Sequence, residues 1–257
     1  MITENDLPPL LQALDPPPFL CVRPDAGSRI LLVCDHGGRR IPMRLDGLGL
    51  GERDLARHIA VDLGARDLTC ALSEKLDATA IISQYSRLVM DMNRPVDDPT
   101  SIRAISDGII IPGNCDVTEA ERNQRCAALF QPYHEAITAA LDARVEPVLI
   151  SLHSFTRALE GGAARPWHVG LLSHDDRRLT DPALHALGRF LHADQIGDNQ
   201  PYSGADSYNY TMHHHAGGRG LLNLTFEVRQ DLLETAEAVE RMATMVHAVI
   251  LESLKKR

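Results

Sequence analysis

The segment ILLVCDHGG, residues 30–38, determines the fold prediction for this chain. Its five consecutive apolar residues, 30–34, are typical of a central strand in a parallel sheet, which is buried on both faces. Asp35 and His36 follow directly, and Gly37 and Gly38 come next. In α/β folds, functional groups gather at the carboxyl ends of the strands. The segment therefore predicts a central strand with a candidate site at its end.

Two further apolar runs end in polar residues. Residues 148–152 lead into His153, and the run that starts at residue 221 leads into Glu227. We predict strands at residues 30–34, 79–84, 148–152, 169–172 and 221–228, and helices at about 52–72, 118–141, 181–191 and 232–254. This alternation predicts an α/β fold of three layers, with a mostly parallel or mixed central sheet and helices on both faces.

Length and composition narrow the class of protein. The 257 residues suit a single domain, 1–257, in which the proline-rich residues 1–28 form an N-terminal arm, packed on the domain or partly mobile. The net charge of −9 argues against a general nucleic-acid binder, although local arginines can still attract an anionic substrate.

Since the chain shows neither a secretory signal nor an apolar run long enough for a membrane span, we expect a cytoplasmic protein. A homo-oligomer is compatible with the sequence.

His36 and His153 are candidate metal ligands because each follows a predicted strand. Neutral imidazole suits zinc, and a catalytic zinc keeps three protein ligands and a water molecule. The residues alone leave open whether each histidine is a ligand or a plain hydrogen-bonding residue. Asp62 is our choice for the third ligand, since it lies four residues after His58 on a predicted helix and so shares its face. A solvated helix face is the alternative for Asp62, and Asp35 is the competing ligand.

Glu227 is a candidate general base. It ends a strand that the sequence predicts to be buried, where an unpaired carboxylate is costly and needs a partner or a chemical role. An ion pair with Arg229 or Arg219 is the structural alternative.

Arg87, Asn93 and Arg94 form a candidate recognition group. Guanidinium groups bind carboxylates with two parallel hydrogen bonds, which suits an acidic substrate. A solvated surface is the ordinary explanation for any one of these arginines. Asp91 is placed to orient Arg87 or Arg94.

Several motifs together resemble the N-formylglutamate amidohydrolase family, which is similar in plan to the zinc carboxypeptidases. The resemblance covers about residues 30–233 and rests on DHGGRRIP at 35–42, HIAVDLGA at 58–65, YSRLVMDMNRP at 85–95, SLHSFT at 151–156, DNQPYS at 198–203 and RGLLNLTFEVRQDL at 219–232. One position departs from the carboxypeptidase pattern H-x-x-E. Arg39 stands three residues after His36, so an acidic ligand must come from elsewhere in the chain.

The resemblance implies a role for each candidate residue. It implies one zinc ion per chain held by His36, His153 and an acidic residue, with Glu227 as the catalytic base. Arg87 is implied to polarise the scissile carbonyl. The implied substrate-binding residues are Arg94, Asn93, Tyr202 and His215. His215 ends the run 213–215, which we interpret as a loop at the rim of the cleft, with a surface metal-binding tract as the alternative.

The resemblance also implies the reaction. We expect a zinc-dependent hydrolase that cleaves the amide of a small anionic N-acyl amino acid, with N-formyl-L-glutamate as the substrate, formate and glutamate as products, and histidine degradation as the setting. A zinc carboxypeptidase or another N-acyl amino acid deacylase is the first alternative. A non-catalytic binder of acidic metabolites is the second.

Overall fold

The computed structural model describes residues 7–159, 161–206 and 209–255. The strands in this part of the chain are β1 Phe19–Val22, β2 Ile30–Cys34, β3 Thr79–Ser83, β4 Ile105–Ser106, β5 Ile109–Ile110, β6 Val148–Phe155, β7 Val169–Leu172, β8 Ile196–Asp198 and β9 Leu222–Arg229. The α-helices are α1 Glu52–Leu55, α2 Ala65–Leu76, α3 Glu119–Arg125, α4 Gln131–Asp142, α5 Thr180–Leu187, α6 Tyr210–His215 and α7 Ala236–Leu254.

A mixed sheet forms the middle layer, with strand order β1-β3-β2-β6-β9-β7-β8. Its four central strands, β3, β2, β6 and β9, are parallel. β1 and β7 run antiparallel to their neighbours β3 and β9. The parallel centre places the carboxyl ends of β2, β6 and β9 side by side, which is the arrangement that gathers functional groups in α/β folds.

Helices cover both faces of the sheet because neighbouring residues of a strand point to opposite sides. Leu32 and Ile150 pack in one core cluster with α2, α5 and α7, whereas Leu31 and Leu149 pack in a second cluster with α4. The three-layer α/β fold predicted from the sequence is confirmed.

Part of the proline-rich arm belongs to the sheet. Residues 1–6 lie outside the described residues, but β1 pairs with β3 along its whole length. Leu10 is buried, and the carbonyl oxygen of Pro18 accepts the backbone N–H of Gln84 at 3.1 Å. The described part of the arm therefore packs on the domain, which was one of the two alternatives, but its pairing as a strand was not predicted.

The predicted helix over residues 52–72 is wrong as one continuous element. α1 ends at Leu55, α2 begins at Ala65, and Asp62 lies in the irregular segment between them. Gly64 has a φ of +75°, in the left-handed region, and a β-carbon at this position would overlap the side chain of Leu233. The chain leaves the helical path after Leu55, and the close approach of Gly64 to Leu233 fixes where α2 begins.

Other boundaries lie near their predicted places. The capping box at Thr118 opens α3, where Thr118 Oγ1 accepts the backbone N–H of Glu121. A π-helical turn, Cys126–Phe130, joins α3 to α4. α7 begins at Ala236 rather than near residue 232, because Thr235 caps it and residues 230–232 form a 3₁₀ turn. Among the described residues, no helix is both long and apolar enough to cross a membrane.

Candidate active site

Three neighbouring strands position two histidines and a glutamate at the candidate site. His36 follows β2, while His153 and Glu227 lie opposite each other in the register of β6 and β9. The imidazole rings of His36 and His153 meet edge to face, with their centroids 4.9 Å apart. The sheet topology therefore brings together two histidines and a carboxylate that are far apart in the sequence.

Asp62 completes a group that can hold a metal ion. Its Oδ2 atom lies 3.3 Å from Nδ1 of His36 and 2.9 Å from Nδ1 of His153. All three side chains are buried, and their ligand atoms lie within 4.8 Å of one another. The backbone N–H of Asp62 donates to the carbonyl oxygen of His36 at 3.0 Å, which holds the irregular segment against the end of β2. Asp62 thus reaches the site from a loop and not from the helix face that the sequence predicted.

A second carboxylate holds the far side of each imidazole. Nε2 of His36 lies 2.7 Å from Oδ1 of Asp91, and Nε2 of His153 lies 3.2 Å from Oδ2 of Asp35. Carboxylates in this position are typical of metal sites, where they orient the histidine ring and make it a stronger ligand. Asp35 is therefore not the competing ligand considered from the sequence, because it lies behind His153.

Asp35 is itself held in place. It accepts hydrogen bonds from the Tyr133 hydroxyl at 2.9 Å and from the Thr211 hydroxyl at 2.8 Å. Burial opposes its ionisation, but the hydrogen bond and the charge of His153 outweigh burial and lower its pKa. The same balance holds the pKa of Asp62 well below its usual range, with His36 and His153 supplying the opposing charge. Both carboxylates are thus anionic at neutral pH.

The donor set fits a divalent transition metal such as zinc. Two imidazole nitrogens and one carboxylate oxygen make three protein ligands, which is the number that a catalytic zinc keeps. Each imidazole also has the outer carboxylate partner expected of a metal ligand.

Glu227 lines the same cavity as this group. Its side chain is 6% exposed, and its Oε2 atom has no partner among the residues that the structure describes. Burial raises the pKa of the Glu227 carboxyl to about 7. The ion pair considered from the sequence is absent, since Arg229 bonds Asp231 and Arg219 bonds Asp142. A buried carboxyl with a pKa near neutrality is typical of a general acid–base catalyst.

The predicted recognition residues lie beside the metal-binding group. Arg87 donates to Asp91 Oδ2 at 2.9 Å and to Asp62 Oδ1 at 3.3 Å, so it bridges these two carboxylates. Nε of Arg94 lies 3.6 Å from the same Asp91 oxygen. The carboxamide oxygen of Asn93 accepts the backbone N–H of Thr211 at 2.9 Å.

A cavity of about 1240 Å³ opens over the group. Its walls include the metal-binding residues and Glu227 together with Arg87, Asn93, Arg94, Arg103, Arg165 and Tyr202. The guanidinium of Arg165 lies over the Tyr202 ring, 5.3 Å from its centroid. The loop 95–117, which the sequence predicts to lie beside a site, contributes residues 106–109 to the wall.

His215 does not reach this cavity, which corrects its predicted role in substrate binding. Its ring is 2% exposed, and its Nε2 lies 2.9 Å from Nδ1 of His134. His134 in turn bonds the carbonyl oxygen of Met92. The run 213–215 belongs to α6 and not to a loop, so the helix turns His215 inward. Through His134, which bonds the carbonyl oxygen of Met92, His215 supports the segment that carries Asn93 and Arg94.

Sequence reasoning missed three contributions to the site. Asp35 and Asp91 were not identified as partners of the histidines, and Arg103 was not identified at all. Asp35 had a usable signal, because it directly follows the strand that leads to a candidate ligand and outer partners accompany metal ligands. Asp91 comes after β3, which carries no candidate ligand, so this signal does not apply to it. Arg103 had no signal beyond its place in a loop next to a candidate site.

Comparisons with known proteins agree with this geometry. Residues 28–234 match the family model described as N-formylglutamate amidohydrolase. No curated protein matches the chain. The chain is similar to the crystal structure of gene product Atu2144 from Agrobacterium tumefaciens, with a TM-score of 0.92 and 32% identity over 96% of this chain and 98% of that one.

Two more distant solved structures also match the chain. N-formylglutamate amidohydrolase from Ralstonia eutropha JMP134 has a TM-score of 0.64 and 18% identity, over 93% of this chain and 96% of that one. A metallo-carboxypeptidase from Burkholderia cenocepacia has a TM-score of 0.42 and 12% identity, over 90% of this chain and 59% of that one. The second similarity is too low to establish a shared fold.

Proposed function

The chain belongs to the N-formylglutamate amidohydrolase family and is an amidohydrolase, and from this premise we propose that it hydrolyses N-formyl-L-glutamate to formate and glutamate with a zinc ion at His36, Asp62 and His153. The observation that supports this most is the buried triangle of these three residues with Glu227 beside it. In a cytoplasmic setting, such an activity would serve histidine degradation.

The metal ion, when bound, supplies a Lewis acid that polarises the amide carbonyl and lowers the pKa of water. Asp35 and Asp91 keep the imidazoles of His153 and His36 oriented toward it. Their role is to fix the ligand geometry, so that the ligands need not rearrange during the reaction.

Glu227 is proposed to move the proton. Its carboxylate removes a proton from the attacking water molecule and then delivers it to the leaving nitrogen of the amide. A pKa near neutrality suits both transfers, because the group is basic enough to take the proton and acidic enough to return it.

Arginine side chains are proposed to hold the substrate. Arg94 lies on the cavity wall next to Asn93, and its planar fork can bind a carboxylate with two hydrogen bonds. Arg87 is closer to the metal-binding residues, where its charge can stabilise the negative oxygen that develops on the amide carbon. Tyr202 lines the same cavity and can contribute a hydroxyl to the substrate.

A second candidate is hydrolysis of other N-acyl amino acids with larger acyl groups. The cavity of about 1240 Å³ exceeds the roughly 300–1,000 Å³ that is typical for drug-sized ligands, whereas N-formylglutamate is smaller than such a ligand. The spare volume of the cavity favours this candidate. A zinc carboxypeptidase and a non-catalytic binder of acidic metabolites have no comparable support.

A substrate screen tests the proposal. The zinc-loaded protein and a chelator-treated control are incubated with N-formyl, N-acetyl and N-succinyl derivatives of glutamate, and the released amino acid is measured. The proposal expects zinc-dependent turnover with the formyl derivative as the best substrate. A preference for the succinyl derivative would select the second candidate. Binding of all three without turnover at full zinc content would select the non-catalytic binder.

A further inference from the structure

Arg103 lines the cavity, and hydrogen bonds hold its backbone in place. Its backbone carbonyl oxygen accepts a hydrogen bond from Nδ2 of Asn114 at 2.8 Å, and the same amide group donates to the carbonyl oxygen of Leu88 at 2.8 Å. The carboxamide oxygen of Asn114 accepts from Arg125 at 2.7 Å. Asn114 and Arg125 are both buried. The loop that carries Arg103 is thereby tied to the segment that leads to Arg94.

Arg103 differs from Arg87 in how its side chain is hydrogen-bonded. Its Nε atom is buried and has no hydrogen-bond partner within the described part of the chain. Arg87, in contrast, donates to Asp91 and Asp62. A buried donor without a partner is costly, and Arg103 lines the cavity, so an anionic ligand there can supply the guanidinium with a partner.

Positive charge is concentrated around Arg103. Burial lowers the pKa of its guanidinium, and the charges of Arg87 and Arg94 lower it further. The carboxylates of Asp91 and Asp98 act in the opposite direction but do not outweigh these effects. Three guanidinium groups that line the same cavity can bind more than one negative group on the ligand.

We propose that Arg103 binds the side-chain carboxylate of the substrate and thereby makes the enzyme selective for N-acyl amino acids that carry two carboxylates. This inference rests on the proposed function. Arg94 takes the carboxylate next to the amide, because it lies beside Asp91, the partner of the metal-binding His36. Arg103 has no such contact with the metal-binding group and takes the more distant carboxylate.

The test compares two substrates that differ in one group. N-formylglutamate and N-formylglutamine have nearly the same shape, but the second carries a neutral carboxamide in place of the side-chain carboxylate. The zinc-loaded wild type is expected to prefer N-formylglutamate. Arg103→Gln is expected to lower kcat/KM for N-formylglutamate by about 10- to 100-fold, the value of a hydrogen bond to a charged group, and to change kcat/KM for N-formylglutamine by less than about 2-fold.

Two further variants separate recognition from structure. Arg103→Lys keeps the charge but not the fork, so it should recover only part of the preference. Arg189→Gln removes one positive charge from the exposed surface, where Arg189 pairs with Glu252, and should leave both substrates unchanged. If Arg103→Gln keeps the wild-type preference, or if both substrates lose kcat/KM in parallel, the assignment of Arg103 is overturned.

A binding measurement keeps the two proposals distinct. If the wild type hydrolyses neither substrate, the proposed function fails, and calorimetry with glutarate and its monoamide then decides the role of Arg103. Tighter binding of glutarate that disappears in Arg103→Gln supports the assignment. Equal binding of the two compounds by the wild type overturns it.

Discussion

Nδ1 of His153 lies 2.9 Å from Oδ2 of Asp62, although the two residues are 91 positions apart in the chain. His153 lies on the regular strand β6, whereas Asp62 lies in an irregular segment. A backbone hydrogen bond to His36 holds that segment in place. This one contact joins the sheet to the loop and completes the group that can hold a metal ion. The first two predictions concern that group.

Removal of either histidine should abolish metal binding. His36→Ala and His153→Ala each leave two protein ligands, which is below the number that a catalytic zinc site keeps. Elemental analysis of purified protein should give about one zinc per chain for the wild type and a trace for the variants. His185→Ala, at an exposed histidine in α5, is the control. Full zinc content in both variants would refute the assignment.

The outer carboxylates should tune metal affinity without being ligands. Asp35→Asn removes the charge that supports His153, and Asp91→Asn removes the charge that supports His36. Each should weaken zinc affinity by about 10- to 100-fold, measured by competition with a chromogenic chelator. Asp175→Asn is a matched control, because Asp175 also pairs with a histidine, but at the surface. An unchanged affinity in both variants would contradict a supporting role.

Arg94→Ala should raise KM for N-formylglutamate by about 10- to 100-fold, because a charged hydrogen bond contributes about 1.5–3 kcal/mol. Arg94→Lys should recover little, since an ammonium group cannot form the two parallel bonds of a guanidinium. Steady-state kinetics on metal-loaded protein measures both effects. A KM equal to that of the wild type would place the carboxylate pocket elsewhere.

Glu227→Gln should lower kcat by about 10²- to 10⁴-fold, the usual contribution of general acid–base catalysis. The amide keeps the shape of the side chain but cannot accept and return a proton. Zinc content should remain that of the wild type, which separates this effect from loss of the metal. Glu74→Gln, at an exposed position of α2, serves as the control. A variant with near-normal kcat would remove Glu227 from the mechanism.

Glu227 should also make the stability of the chelator-treated protein depend on pH. Its pKa rises from 4.5 to about 7 on folding, so the folded protein binds more protons than the unfolded chain between these values. Stability therefore falls as the pH rises through about 7. Glu227→Gln should exceed the wild type in free energy of unfolding by about 3 kcal/mol at pH 8.5 and by less than about 1 kcal/mol at pH 5. Urea unfolding at both pH values measures this, and an equal difference at the two values would contradict it.

Local sequence patterns predicted the central strands and the residues at their ends. An apolar run and the polar residue that follows it can both be recognised within a short stretch of sequence. The continuous helix over residues 52–72 was wrong, since the approach of Gly64 to Leu233 is a tertiary contact that periodicity does not contain. His215 was misplaced for a similar reason. Its motif indicated a site, but α6 turns its ring toward His134 and away from the cavity.

The sequence by itself determined the alternation of strands and helices, the positions of His36, His153 and Glu227 after apolar runs, and the resemblance to the family. Only the tertiary structure decided which carboxylate completes the metal-binding group and which ones support it. Asp35, Asp62 and Asp91 are equally acidic as residues. Their roles differ because the fold fixes the directions of the two imidazoles. Asp62 meets Nδ1 of both rings, whereas Asp91 and Asp35 each meet Nε2 of one ring.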